Sequence, residues 1–132
     1  MRAVLDASAA VNVVLRTERA PLLIERLERS ALVIAPTLFH GEVANMLWKY
    51  VRAGVLDRDT ALTRYEEATG LVDSFEPDEH LTTEALSTAV LHGHPVYDLL
   101  YVVLARRYGC KVLTEDRKLV ALLRNMDASM LP

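Results

Sequence analysis

The sequence contains a single cysteine, Cys110, so no disulfide bond can form within the chain. Cys110 precedes a predicted strand, and we interpret it as a small core residue. The longest uninterrupted apolar run, from Leu99 to Ala105, is far shorter than the roughly 20 residues that a membrane-spanning helix requires. Asp6 interrupts the amino-terminal apolar stretch, which argues against a signal peptide. These features predict a cytoplasmic protein without a membrane span.

The five glycines are scattered along the chain, and they form no cluster of the kind that cradles a phosphate group. The net charge of −3 gives no overall field that attracts nucleic acid. Binding of a nucleic acid would therefore depend on a local basic patch. Most of the 15 basic residues are arginines, whose guanidinium groups suit bidentate contacts with phosphate.

Length and composition predict one folded domain over residues 1–132. A chain of 132 residues can bury roughly two-thirds of its unfolded surface in a single core. Hydrophobic residues make up 52% and charged residues 25% of the sequence, as in ordinary globular proteins. No internal repeat, linker or low-complexity segment divides the sequence.

Short apolar segments alternate with helical patterns along the chain. Strands are predicted at Ala3–Leu5, 31–36, 111–114 and, more weakly, 73–77, with a candidate edge strand at 128–132. Helices are predicted from Ser8, whose hydroxyl can act as a cap, over Pro21–Arg29, from a Thr37 cap to near Gly54, over 57–72, from Asp78 to Gly93, from Pro95 to Gly109 and over 116–126. The alternation predicts a three-layer α/β/α sandwich with a mainly parallel central sheet of four to five strands.

Four acidic residues fall where this fold places a ligand site. Asp6 and Asp116 each follow a predicted strand, while Glu42 and Asp98 lie in the first turn or two of their helices. In an open parallel sheet, ligands bind where the carboxyl ends of strands meet the amino ends of helices. Asp98 also interrupts an apolar helical face that includes Tyr101, so something must compensate for its burial. We expect the four acids to face one cleft.

Each of these acids alone also has a simpler interpretation. Asp6, Asp98 and Asp116 could cap helices or complement helix dipoles, and Glu42 could be a solvated charge. The two interpretations differ if the four side chains lie close together. Carboxylates about 5 Å apart repel by roughly 3 kcal/mol at an effective dielectric of about 20, which is more than a helix cap contributes. A divalent cation reverses that repulsion, and oxygen ligands favour Mg²⁺ or Mn²⁺.

Zinc is a weaker alternative for the metal. His92 and His94 flank Gly93, but with Cys110 as the one cysteine no set of four zinc ligands is evident. A nucleophilic triad is also poorly supported, since Ser8 has no histidine nearby in the sequence.

The four acids lie in segments that resemble the motifs of a known family. The segments are VLDASA at 4–9, GEVANML at 41–47, PVYDLLYVVLA at 95–105 and LTEDRKL at 113–119. Their order and spacing resemble those of PIN-domain ribonucleases, most closely the VapC-type toxins of bacterial and archaeal toxin–antitoxin pairs. The resemblance extends over the whole chain.

The resemblance implies a metal-dependent endoribonuclease that is the toxin of such a pair. It implies hydrolysis of an RNA phosphodiester by in-line attack of water, which leaves a 3′-hydroxyl and a 5′-phosphate. The catalytic residues, which would hold one or two Mg²⁺ or Mn²⁺ ions, are Asp6, Glu42, Asp98 and Asp116. The residues that would order the site are Ser8, Asn45 and Thr114, whereas Glu115 matches a variable position.

The partners predicted in this way are an RNA substrate, a cognate antitoxin protein and a second copy of the chain. Arg117 and Lys118 are the cations nearest in sequence to an acid and are candidate RNA-binding residues, with Arg16 and Arg19 less favoured. A predicted helical hairpin over 38–72 carries more large apolar residues than one sheet face can cover, which suits an antitoxin helix or a homodimer. Those residues are Phe39, Leu47, Trp48, Tyr50, Val51, Leu62 and Tyr65.

Two other functions fit the same fold. A catalytically silent PIN-like module could bind a protein or RNA partner, although all four acids are present. A DNA-directed nuclease of the related flap-endonuclease type is less favoured, since no helical arch fits within 132 residues.

Overall fold

The computed structural model describes all 132 residues and contains one sheet of four strands. The strands are β1 (Arg2–Leu5), β2 (Leu32–Pro36), β3 (Ser74–Glu76) and β4 (Lys111–Leu113). Their order is β3-β2-β1-β4, and every neighbouring pair is parallel. The parallel arrangement follows from the helical segment that lies between each strand and the next.

Seven α-helices surround the sheet, and two short 3₁₀ turns complete the structure. The helices are α1 (Ala7–Val14), α2 (Ala20–Glu28), α3 (Leu38–Arg52), α4 (Arg58–Gly70), α5 (Thr82–His92), α6 (Val96–Tyr108) and α7 (Arg117–Met126). The 3₁₀ turns are Asp78–His80 and Ala128–Met130. None of the helices has the length and apolar character needed to cross a membrane.

Hydrophobic cores lie on both faces of the sheet, so the structure has three layers. Successive residues of β1 point to opposite faces: Ala3 and Leu5 join the core formed with α1 to α4, while Val4 joins the core formed with α5 to α7. Helix α6 is buried on all sides from Leu99 to Ala105. The predicted three-layer α/β/α sandwich is confirmed, with four strands.

The predicted role of Ser8 as a helix cap is wrong. Helix α1 already begins at Ala7, and Asp6 occupies the N-cap position. The Ser8 hydroxyl donates a hydrogen bond to Asp6 Oδ2 at 2.5 Å instead of capping the helix. The Ser8 hydroxyl therefore helps to fix the orientation of the Asp6 carboxylate, which follows β1.

The Thr37 hydroxyl does not cap α3 either. The backbone N–H of Leu38 donates to Asp78 Oδ1 at 2.9 Å, and the N–H of Asp78 donates to Thr37 Oγ1 at 3.1 Å. A side chain 40 residues further along the chain thus satisfies the free N–H of the first turn. The segment after β3 fixes the start of the helix that carries Glu42.

Two further predictions differ from the structure. The helix predicted from Asp78 to Gly93 is divided into a 3₁₀ turn and α5. The candidate edge strand at 128–132 is instead a 3₁₀ turn, which Asp127 caps by accepting from the N–H of Ser129 at 3.0 Å. In α2, Leu23 is fully buried, whereas Leu22 and Ile24 are exposed.

Candidate active site

The four predicted acids reach the carboxyl edge of the sheet from four different elements. Asp6 directly follows β1, and Asp116 lies three residues after β4 as the N-cap of α7. The ends of these strands are adjacent, because Leu5 pairs with Leu113 and the Asp6 N–H donates to the Leu113 carbonyl at 3.0 Å. Glu42 comes from the second turn of α3, and Asp98 comes from the first turn of α6.

Asp6 is held by hydroxyl groups from the first turn of α1 and from the residue after β4. The hydroxyls of Ser8 and Thr114 both donate to Asp6 Oδ2, at 2.5 and 2.6 Å. Ser8 Oγ also accepts from the N–H of Glu115 at 2.9 Å. These contacts tie the carboxylate of Asp6 to the segment that leads into α7, and they leave Oδ1 without a protein partner.

Glu42 and Asp98 are each held by a ring-bearing side chain. The Tyr101 hydroxyl, which is fully buried, donates to Glu42 Oε1 at 2.6 Å. His94 Nε2 lies 2.8 Å from Asp98 Oδ2. Neither the tyrosine nor the histidine belonged to the predicted site, so the structure adds two residues to it.

Asp116 is the one acid whose side chain caps a helix in the ordinary way. Its Oδ1 accepts from the N–H of Lys118 at 2.8 Å and of Leu119 at 3.2 Å. The side chain of Asp6 makes no such bond to α1, although it occupies the N-cap position. Helix capping therefore accounts for one oxygen of one acid.

All four carboxylates share one pattern, since each has one hydrogen-bonded oxygen and one oxygen without a protein partner. No buried side-chain nitrogen or oxygen in the structure lacks a hydrogen-bond partner, so the four free oxygens must reach solvent. They are Oδ1 of Asp6, Oε2 of Glu42, Oδ1 of Asp98 and Oδ2 of Asp116.

The charges of these acids are poorly compensated by the protein. Burial raises the pKa of Asp6, and the nearby carboxylates of Asp98 and Asp116 raise it further, while the two hydroxyls act in the opposite sense. Burial raises the pKa of Glu42 to about 7, with added repulsion from the other three acids. No arginine or lysine forms a salt bridge with any of the four. Asp6 and Glu42 therefore each lie within electrostatic range of Asp98 and Asp116.

A divalent cation fits this donor set by chemistry and by charge. Four carboxylates with accessible oxygens are the ligands that Mg²⁺ and Mn²⁺ prefer. A closed ligand set is not formed in this structure, because no group of three or more His, Cys, Asp or Glu side chains is arranged to hold a metal ion. An ion held by one or two of these carboxylates would complete its coordination with water molecules.

The other predicted residues occupy more peripheral positions. Asn45 is exposed one turn after Glu42 and makes no side-chain hydrogen bond, so its ordering role stays a prediction. Arg117 and Lys118 are exposed in the first turn of α7. Lys118 lines a groove of about 610 Å³ together with Glu42, Asp98 and His94. Arg117 faces a different cleft on the other side of the helix.

Signals for the two missed residues were present in the sequence. A buried tyrosine needs a partner for its hydroxyl, which made Tyr101 more than an apolar stripe residue. His94 lies four residues before Asp98, a spacing that brings side chains together at a helix start. What the sequence did not contain was the pairing of Tyr101 with Glu42, which are 59 residues apart.

Comparison with known proteins identifies the family. The model of the PIN domain matches residues 3–124, and the chain therefore belongs to the PIN-domain family. The protein is 34% identical over 121 residues to Ribonuclease VapC3 of Pyrobaculum aerophilum, and the alignment covers 90% of this chain and 92% of that relative. The predicted resemblance to VapC-type PIN proteins is confirmed.

Solved structures support the same fold. A crystal structure of PAE2754 from Pyrobaculum aerophilum has a TM-score of 0.70 and 26% identity, and covers 92% of this chain and 84% of its own. VapC20 of Mycobacterium tuberculosis, a toxin that cleaves the sarcin-ricin loop, has a TM-score of 0.68 and 17% identity, covering 91% of this chain and 94% of its own. The second likeness concerns the fold alone.

Proposed function

We propose that this protein is a metal-dependent endoribonuclease and the toxin of a toxin–antitoxin pair, with residues 1–132 acting in the cytoplasm as one PIN-like nuclease domain. One observation carries the proposal: four carboxylates at one edge of the parallel sheet each have one fixed and one accessible oxygen. Membership of the PIN-domain family and similarity to a VapC ribonuclease support the choice of RNA as substrate.

In this proposal the acids hold Mg²⁺ or Mn²⁺ through their free oxygens, and their neighbours keep them oriented. A bound divalent ion would lower the pKa of a water molecule towards neutral and would neutralise charge on the phosphoryl oxygens. Tyr101 orients Glu42, and His94 orients Asp98. The catalytic and metal-binding residues are Asp6, Glu42, Asp98 and Asp116, and the site-ordering residues are Ser8, Asn45 and Thr114.

The reaction is the hydrolysis of one phosphodiester bond. A water oxygen forms a bond to phosphorus while the bond to the 3′ oxygen breaks, and the 3′ oxygen leaves with a proton. The products are a 3′-hydroxyl and a 5′-phosphate. Arg117 and Lys118, on opposite sides of the start of α7, supply positive charge for the flanking phosphates.

Cleavage of end-labelled cellular RNA tests this function directly. We expect discrete cuts in Mn²⁺ or Mg²⁺ and none in EDTA, with ends that accept ligation as 3′-hydroxyl and 5′-phosphate termini. A 2′,3′-cyclic phosphate would contradict the mechanism, because it reports attack by the 2′-hydroxyl of the RNA itself.

The competing functions give different results in the same assay. Matched DNA and RNA oligonucleotides separate a DNA-directed nuclease from a ribonuclease. Failure of folded, antitoxin-free protein to cut RNA at any metal concentration would favour the catalytically silent binding module.

Two separate apolar surfaces support the two proposed protein partners. Between α3 and α4 lies a groove of about 390 Å³ in which Trp48 and Leu62 are each 52% exposed. Its concave shape suits an amphipathic antitoxin helix. Of the other apolar residues predicted for this surface, Phe39 is buried in the core, and Leu47 is nearly buried but lines the groove. The second surface is on α5, where Val90 is 77% exposed.

The face of α5 is the one that we assign to a homodimer. Leu86, Val90 and Leu91 form an exposed row on one convex helix, which can pack against its own copy about a two-fold axis. Light scattering should show a dimer that dissociates in the Val90→Asp variant and persists in Leu62→Asp, the control on the other surface. A monomeric wild-type protein at high concentration would contradict the homodimer.

A further inference from the structure

A second cleft, of about 550 Å³, lies between α2 and α7 beside the active site. We call it the arginine cleft, because four of its lining residues are arginines: Arg19, Arg26, Arg117 and Arg124. No aromatic, asparagine or glutamine side chain lines it. The charged side chains of the cleft are therefore mainly cationic, as contacts with the phosphates of a nucleic acid require.

The arginines form two pairs with the same spacing. Arg117 and Arg124 are seven residues apart on α7, and Arg19 and Arg26 are seven apart at and after the start of α2. Seven residues correspond to about two helical turns, or roughly 10.5 Å along the axis, so both members of a pair project to one side. Two helices thus present guanidinium groups to the same cleft.

Most of this positive charge is not neutralised by the protein. Arg19 pairs with Glu115 at 3.1 Å, but Arg26, Arg117 and Arg124 form no salt bridge. Elsewhere on the surface, Arg29, Arg58 and Arg64 pair with acids close to them in the sequence. Arg106 and Arg107 of α6 pair with Glu84 of α5. The arginine cleft is a local concentration of free cations on a chain whose net charge is −3.

The arginine cleft is continuous with the active site. Thr114 lines the cleft, and its hydroxyl donates to Asp6 Oδ2. On the other side of α7 lies the groove that holds Asp98 and Lys118. A polyanion that passes the acids across the start of α7 would enter the arginine cleft directly.

From these observations we propose that the arginine cleft binds the phosphodiester backbone of the RNA strand next to the cleaved bond. The proposal rests on the proposed ribonuclease function and extends it to Arg26 and Arg124, which lie farther from the acids in sequence. Guanidinium groups bind phosphate oxygens in bidentate fashion. Because the contacts are to the backbone, their contribution is independent of RNA sequence.

The test measures RNA binding separately from cleavage. Affinity for a fluorescent single-stranded RNA is measured in the Asp98→Asn background at several salt concentrations. For single-stranded RNA, the logarithm of the binding constant falls with log[salt], with a slope of about −0.7 per phosphate contact. Arg26→Ala and Arg124→Ala should therefore each make this slope less steep by about 0.7. The reduction should be the same for RNAs of unrelated sequence. Arg124→Lys should retain the slope, because it keeps the charge.

Arg29→Ala is the matched control, because Arg29 lies just after α2, is 74% exposed and is paired with Glu25 outside the cleft. Its affinity and slope should equal those of the parent. Unchanged affinity and slope in the Arg26→Ala, Arg124→Ala double variant would overturn the proposal, as would tighter binding of polyglutamate than of RNA. Normal cleavage by that double variant would contradict the role of the arginine cleft but not the ribonuclease function. If the wild type binds RNA but does not cleave it, the ribonuclease function is contradicted and the role of the cleft in binding is not.

Discussion

Asp98→Asn protein is expected to cleave RNA about 10³-fold more slowly than the wild type. Losses of about this size follow when an enzyme loses one group that stabilises charge in the transition state. Asparagine has nearly the same shape as aspartate, and its Oδ1 can still accept from His94 Nε2, which lies 2.8 Å from the native carboxylate. The substitution therefore removes charge and preserves packing. Initial cleavage rates in Mn²⁺ measure the effect.

The control for this variant is Asp59→Asn, which alters an 89% exposed acid on α4. Its cleavage rate should equal that of the wild type. Thermal shift gives an independent measurement, since Mn²⁺ should raise the melting temperature of the wild type by more than that of Asp98→Asn. If Asp98→Asn retains a tenth or more of wild-type activity, the role of this acid is limited to complementing the dipole of α6.

The sequence was sufficient to place the four acids near one edge of the sheet, because their positions depend on local patterns. Asp6 and Asp116 follow short apolar strands, and parallel strands bring their carboxyl ends to one edge. Helix starts after Pro36 and Pro95 supply Glu42 and Asp98 to the same edge. Hydrophobic periodicity and the positions of prolines therefore fix the general location of the site.

The contacts that orient the acids could not be predicted in the same way. Tyr101 of α6 and Glu42 of α3 meet although the two helices pack on opposite faces of the sheet and the two residues are 59 positions apart. The cap of α3 comes from Asp78, which no local rule connects with Leu38. Such pairings depend on how the layers pack, and a local pattern does not contain that information.

The arginine cleft illustrates the same limit. Arg117 was predicted to bind RNA because it adjoins an acid in the sequence, but Lys118, the next residue, faces a different groove. The contribution of Arg26 becomes visible only when α2 is placed across from α7. Charge alone did not show which arginines lie together, since they are distributed along the whole chain.

Glu42→Gln is expected to stabilise the metal-free protein at pH 8. Burial raises the pKa of Glu42 from 4.5 to about 7, so the folded state holds its proton more tightly than the unfolded state. Ionisation of Glu42 in the folded state therefore lowers the free energy of unfolding. This destabilisation is absent below pH 4.5, grows as the pH rises towards 7 and reaches its full size above pH 7. A shift of this size corresponds to at most about 3 kcal/mol, and partial exposure reduces the expected gain to about 1–2 kcal/mol.

Melting temperatures in EDTA at pH 8 and at pH 4.5 measure this effect. Glutamine keeps an oxygen that can accept from the Tyr101 hydroxyl, which lies 2.6 Å from Glu42 Oε1, so the variant removes charge without breaking that contact. We expect a gain of about 3–8 °C at pH 8 and little change at pH 4.5. Glu66→Gln, an exposed substitution on α4, should change neither value.

Added metal should reverse the order of stability at pH 8. A divalent cation stabilises the wild type through the charge that destabilises it in EDTA, whereas Glu42→Gln has lost one ligand and gains less from the ion. A lower melting temperature for Glu42→Gln in EDTA at pH 8 would show that the charge of Glu42 stabilises the fold. The acids would then be structural groups whose repulsion is already compensated within the protein, and the case for a cation site would lose its electrostatic basis.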